Sequence, residues 1–303
     1  TLTELHVPDR AGVLADVLLG YATLAQYRTG THYLGATIGR VANRIGGAAF
    51  ELDGRRYHLT PNEPPNHLHG GVAGFDKRVW HVEVLPGVTA VRCEYMSEDG
   101  EEEYPGRLDT SVLFTLTDAN ELSISYSARS DEATPVNLTN HAYFNLAGAG
   151  TVLDHELTLM ASSYTPTGPG LLPTGELRSV SGTPFDFRAP TTLGARLAQV
   201  PGGYDHHFVV DGNGLRLAAQ VREPASGRVM EVWTTSAGLQ VYDGTFLDGK
   251  GKGGEVYGPH SGFTLETQGY PDAVNRPEFP SIILQPGQTW RHETVFRFST
   301  SPQ

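Results

Sequence analysis

Several short stretches of this chain gather side chains that can move protons or hold hydroxyl groups. Residues 265–275, LETQGYPDAVN, set one acid, Glu266, beside an amide, an aromatic ring and a Pro-Asp turn that stops regular structure. The alternation of Phe263, Thr264 and Leu265 places that acid at the end of a strand, where a stiff turn can aim it into a cleft. Residues 137–146, NLTNHAYFNL, set His141 among Asn140, Tyr143 and Asn145. A histidine packed among amides can be held in one tautomer and tuned near neutral pH, and Tyr143 offers a ring face to the apolar side of a sugar. Residues 204–208, YDHHF, bring Asp205 together with His206 and His207, and Gln240 adds an amide on the strand GLQVYDG. Residues 39–47, GRVANRIGG, hold Arg40, Asn43 and Arg44 among glycines that let a ligand approach the backbone. The fork of Arg44 suits two ligand oxygens. In residues 66–71, NHLHGG, His67 and His69 share one face of an extended segment.

Other chemistries fit less well. The spacing of His67 and His69 also occurs in metal-binding barrels, but a zinc site needs a third or fourth ligand in a recognisable motif. Residues 244–251, GTFLDGKG, approach a phosphate-cradling loop, yet Gly251 stands where a magnesium-holding Ser or Thr belongs and no strand–helix unit surrounds it. There is no Gly-x-Ser-x-Gly elbow. Asn137-Leu138-Thr139 matches a glycosylation acceptor, but a chain without disulfides is not expected to be secreted. What remains is a set of proton-transferring and hydroxyl-holding groups with no cofactor motif. Interconversion of sugar anomers needs only these. A base takes the proton of the C1 hydroxyl, an acid gives one to the ring oxygen, and the ring opens. The aldehyde turns about C1–C2 and recloses on its other face. Near pH 7 the expected pair is an ionised Glu beside a protonated His.

The elements that must position these groups read as strands. Alternating runs at residues 50–59, 80–85, 90–96, 108–116, 121–127, 156–160, 215–221 and 230–233 recur between Gly, Pro, Asn and Asp turns, with an Asp53-Gly54 hairpin in the first. Helix signals are confined to residues 191–200 and a turn at residues 21–27. Such spacing predicts an all-β sandwich or barrel with one or two short helices. No linker or repeat divides the 303 residues, which predicts a single domain. Lys+Arg 22 against Asp+Glu 34 gives a net charge of −12 without a basic cluster, which speaks against nucleic acid and anionic membranes and suits a neutral ligand. The lone Cys93 excludes an intrachain disulfide and a thiolate cage, and its alternating context predicts an inert core thiol. With neither a leader nor a long apolar run, cytoplasmic residence is expected.

Taken in order, GRVANRI, NHLHGG, NLTNHAYFNL, YDHHF, GLQVYDGTFLDG and LETQGYPDAVN resemble the motifs of the aldose 1-epimerase (galactose mutarotase) family. QPGQTW before a last apolar strand is similar too, so that the likeness covers essentially the whole chain. It implies a large antiparallel β-sandwich of the mutarotase-like type and no cofactor. It implies Glu266 as general base and His141 as general acid, with Asn43, Arg44, His69, Tyr143, Asp205 and Gln240 as monosaccharide-binding positions. His206 and His207 match less closely. Members of that family begin a few tens of residues before the segment TLTELHVPDRAG, so their extreme N-terminal strands are expected to be missing here. Two alternatives keep the fold: a hexose 6-phosphate as substrate, with Arg40 as its phosphate ligand, or a sugar-binding protein without catalysis.

Overall fold

The structure, a computed structural model, describes residues 1–301. Two antiparallel sheets stack face to face. The larger has nine strands in the order Thr191–Thr192, Glu156–Leu159, Arg216–Arg222, Arg228–Thr234, Trp290–Thr300, Glu121–Ser130, Leu108–Thr117, Ala90–Ser97 and His81–Val84. The smaller has six: Tyr143–Phe144, Phe263–Gln268, Gly238–Tyr242, Asp205–Val210, Ala161–Thr165 and Arg178–Ser179. Alternate side chains along each strand point to opposite faces, so Ile124, Tyr126 and Ala128 of the large sheet meet Leu239, Val241 and Leu265 of the small one in one core. The ring of Phe144 lies 5.1 Å from that of Phe296 across the gap.

This alternation decides where the chemistry goes. Along Phe263–Gln268, Leu265 and Thr267 face the large sheet, leaving Thr264, Glu266 and Gln268 on the opposite face. Thr267 is fixed from behind, its hydroxyl 3.0 Å from His292 Nε2 and 2.5 Å from Thr294 Oγ1. Glu266 therefore sits inside a strand rather than at its end, because the ladder to Gly238–Tyr242 continues through Gln268 before the Pro271 turn.

The expected strands form. The Asp53-Gly54 hairpin joins Leu52 to Arg55 with φ of 51° and 76° at its two loop residues, the twist that a tight two-residue hairpin loop requires. The expected helix at residues 191–200 does not form. Thr191 and Thr192 pair with Leu157 and Glu156 at the sheet edge, Leu193 enters the core, and only a 3₁₀ turn, Leu197–Gln199, follows. Edge pairing and burial override a weak local preference. The one α-helix among the described residues, Leu24–Thr29, is capped by the Thr23 hydroxyl, which accepts from the Gln26 amide. Cys93 is half-buried rather than a core thiol. No helix among the described residues is long and apolar enough to cross a membrane.

Candidate active site

Loops and strand ends above the small sheet enclose a cavity of about 190 Å³, lined by Asn43, Arg44, His69, His141, Tyr143, Asp205 and Glu266 together with Thr31, His32, Tyr33, Leu68, Tyr242 and Phe246. Seven of the eight residues to which the resemblance gives catalytic or sugar-binding roles thus meet at one place. The eighth, Gln240, lies directly across the ladder from Glu266 and donates its amide to Asp205 Oδ1 at 2.6 Å. Larger grooves, of about 540 Å³ and 750 Å³, lie elsewhere, but neither brings a buried carboxyl against a buried imidazole.

Each side chain has a local reason for its place. Asp205 begins the strand Asp205–Val210, opposite Tyr242. His141 ends Thr139–His141, paired with Ala36, and its ring is wedged 5.1 Å from His69, 5.7 Å from Tyr33 and 5.1 Å from Tyr143. Asn43 and His69 clasp each other. The Asn43 amide donates to His69 Nδ1 at 3.1 Å, and the His69 amide donates to the Asn43 carbonyl at 3.0 Å. Both adopt left-handed backbone, with φ of 63° and 52°. Because Nδ1 accepts, the hydrogen of neutral His69 resides on Nε2, which is free to donate to a ligand.

His141 Nε2 stands 3.6 Å from Glu266 Oε1, and both residues are almost fully buried. Thr264 Oγ1 donates to that same oxygen at 3.0 Å, while Glu266 Oε2 and His141 Nδ1 have no partner among the described residues. Burial, reinforced by the charge of Asp205, raises the Glu266 carboxyl to about 8. Burial lowers the His141 imidazole to about 4. Both shifts disfavour the charged form. Burial thus favours the arrangement in which both groups are neutral, with the single proton of the pair on the carboxyl. This differs from the ion pair expected from sequence, because neither group faces the water that ordinary values presuppose.

His69, His141 and Glu266 present donor atoms within 4.8 Å of one another, which is a geometry that can hold a metal ion. The clasp with Asn43 argues against it, since a metal on His69 Nε2 would have to displace the hydrogen that the Asn43 amide keeps there. His67 is elsewhere in any case, with Nδ1 2.8 Å from the Thr60 carbonyl and Nε2 2.8 Å from the Tyr104 hydroxyl.

The two arginines of GRVANRI have opposite fates. Arg44 Nε and Nη2 donate to the two oxygens of Glu63 at 2.5 and 2.7 Å, while Nη1 lies 3.8 Å from Asp205 Oδ2. Arg40 is only 2% exposed and donates to the carbonyls of Ser97, Glu98 and Pro105 and to the hydroxyls of Ser97 and Thr134. It braces loops away from the cavity, so its expected role as a phosphate ligand fails. His206 packs against Phe185, and His207 is buried beside Tyr270. Sequence reasoning missed Glu63, Tyr33, Tyr242 and Phe246. Tyr242 lay in view within GLQVYDG and Glu63 only three residues before NHLHGG, whereas Tyr33 belongs to no motif.

A model of the aldose 1-epimerase family matches residues 1–297. Galactose mutarotase from Homo sapiens is 50% identical over 307 aligned residues, covering 99% of this chain and 89% of the relative. Aldose 1-epimerase from Escherichia coli (strain K12) is 38% identical, covering 98% of this chain and 89% of its own length. Among solved structures, an aldose epimerase homologue from C. elegans is similar with a TM-score of 0.95 at 33% identity, over 100% of this chain and 93% of that one. A galactose 1-epimerase from Lactobacillus acidophilus is similar at a TM-score of 0.85 and 27% identity, over 98% and 89% of the two chains.

Proposed function

This chain belongs to the aldose 1-epimerase family, and from that premise we propose that it is an isomerase interconverting the α and β anomers of free hexoses such as galactose and glucose. The observation that carries the reading is the His141–Glu266 pair, 3.6 Å apart, in a cavity rimmed by hydroxyl-binding groups. One proton on this pair suffices for the whole cycle. With that proton on His141, ionised Glu266 takes the hydrogen of the C1 hydroxyl while the imidazolium gives its own to the ring oxygen. The C1–O5 bond breaks and an open-chain aldehyde remains beside neutral Glu266 and neutral His141. After rotation about C1–C2, the same steps reverse on the other face of the carbonyl. The buried pocket favours the neutral arrangement, which is the one that accompanies the ring-opened sugar. His69 Nε2–H, Arg44, Asp205 and Asn43 are assigned to the sugar hydroxyls, with Tyr143 against its apolar face and Gln240 holding Asp205.

A phosphorylated substrate is disfavoured. Among the described residues Arg44 is the only Lys or Arg lining the cavity, its fork is occupied by Glu63, and Asp205 and Glu266 lie beside it. Polarimetry of freshly dissolved α-D-galactose and α-D-glucose tests the assignment. Relaxation to the anomeric equilibrium should be faster than in buffer and first order in protein. Sugar binding without acceleration would leave a binding protein and end the proposal.

The proton count also fixes the pH dependence. Below about 4 both groups are protonated and the base is lost. Above about 8 both are deprotonated and the acid is lost. A plot of kcat/KM against pH should be a broad bell between those limits, which belong to the pair rather than to either residue alone. A rate that keeps rising well above the alkaline limit would contradict a mechanism that needs this proton.

A further inference from the structure

We propose that Glu63 is a positioning residue for the sugar site, fixing the Arg44 guanidinium; the inference rests on the function proposed above. Arg44 enters on the two-residue strand Arg44–Ile45, opposite Leu68, and its backbone amide is held by Asn43 Oδ1 at 2.9 Å. That fixes only the root of a long, flexible side chain. The head is fixed by Glu63, whose two oxygens take Nε and Nη2 in a parallel fork at 2.5 and 2.7 Å. Such a fork sets the plane of the guanidinium as well as its place. What remains is the Nη1 edge, which faces Asp205 at 3.8 Å.

Asp205 is in turn held by Gln240 at 2.6 Å, so that Glu63, Arg44, Asp205 and Gln240 form one chain of contacts from the loop to the strand beside Glu266. Glu63 is well placed to anchor it. The Glu63 amide donates to the Asn66 carbonyl at 3.1 Å and the Asn66 amide returns to the Glu63 carbonyl at 2.7 Å. Asn66 Oδ1 accepts from the Gly47 amide at 3.1 Å, and Asn62 closes the same loop on the amide and carbonyl of Leu68. A single tied loop thus delivers both Glu63 and His69 to the cavity. Glu63 does not line that cavity, so it acts through Arg44. Its charge also offsets the positive charge that Arg44 presents to Glu266.

The test compares the parent with Glu63→Gln and Glu63→Asp, following mutarotation of galactose over a pH series alongside melting temperature. Glu63→Gln should raise KM by about 10-fold or more, as expected for loss of a charge-assisted fork, with kcat within about 3-fold of the parent. It should also lower the alkaline limit of the kcat/KM profile, because Arg44, less compensated, then favours ionised Glu266. Glu63→Asp keeps the charge and should recover most of that pH shift and part of the KM. With an active parent, unchanged KM and an unmoved alkaline limit in Glu63→Gln overturn the inference. So does a loss of activity that merely tracks a lower melting temperature without the pH shift. A parent without mutarotase activity overturns the functional reading and this inference with it.

Discussion

Glu266→Gln is expected to lower the mutarotation rate by about 10²–10⁴-fold, the contribution of a well-placed general base, in a protein that remains fully folded. The amide matches the carboxyl in shape, and its oxygen can still accept the Thr264 hydroxyl that lies 3.0 Å from Glu266 Oε1. Only the ability to take a proton is removed. Stability should move in the opposite direction. The folded protein raises this carboxyl from an ordinary value of 4.5 to about 8. Its favourable contribution to folding is therefore complete below 4.5 and is lost as pH rises through about 8. At about pH 8 and above, Glu266→Gln should melt at or above the temperature of the parent. Calorimetry and polarimetry on one sample check both halves. A variant that loses rate only because it loses structure would speak against the assignment.

His141→Asn should cost a comparable factor, with a diagnostic change in pH dependence. The parent should lose activity as pH rises through about 8, where the pair gives up its one proton. Without His141, the base left in the pocket is Glu266, which works only when ionised. The residual rate should then rise through the ionisation of that carboxyl, a reversal of the alkaline limb. The acid limb near 4 should disappear as well. A His141→Asn protein with a parental profile would show that another group supplies the proton.

The residues that line this candidate site were largely legible, because each lies in a short string whose types suit hydroxyl binding or proton transfer. Position was less so. GRVANRI contains two arginines that sequence treats alike, yet Arg40 is spent on loop carbonyls and Arg44 reaches the cavity. Which one turns inward depends on contacts far along the chain, with Ser97 and Pro105. Glu63 escaped because a lone acid after Pro61-Asn62 looks like any surface charge until its loop folds back on Arg44. Proton placement was hidden for a similar reason: ordinary values assume water, and the sheet removes it from Glu266 and His141. The strands and the Asp53-Gly54 hairpin were readable because their signals are local. Residues 191–200 were misread because Leu193 and Leu197, at a helical spacing, answer instead to a sheet edge and a core that sequence does not display.

The mechanism requires Glu266 and His141 to act as one unit, and a double-variant cycle measures that directly. Mutarotation of freshly dissolved α-D-galactose should be followed with the parent, Glu266→Gln, His141→Asn and the protein carrying both changes. Groups that share one proton transfer are strongly non-additive, so the double variant should be no slower than about the slower single one. Losses that multiply, to about the product of the two single factors, would mean that the residues act independently and would contradict the mechanism.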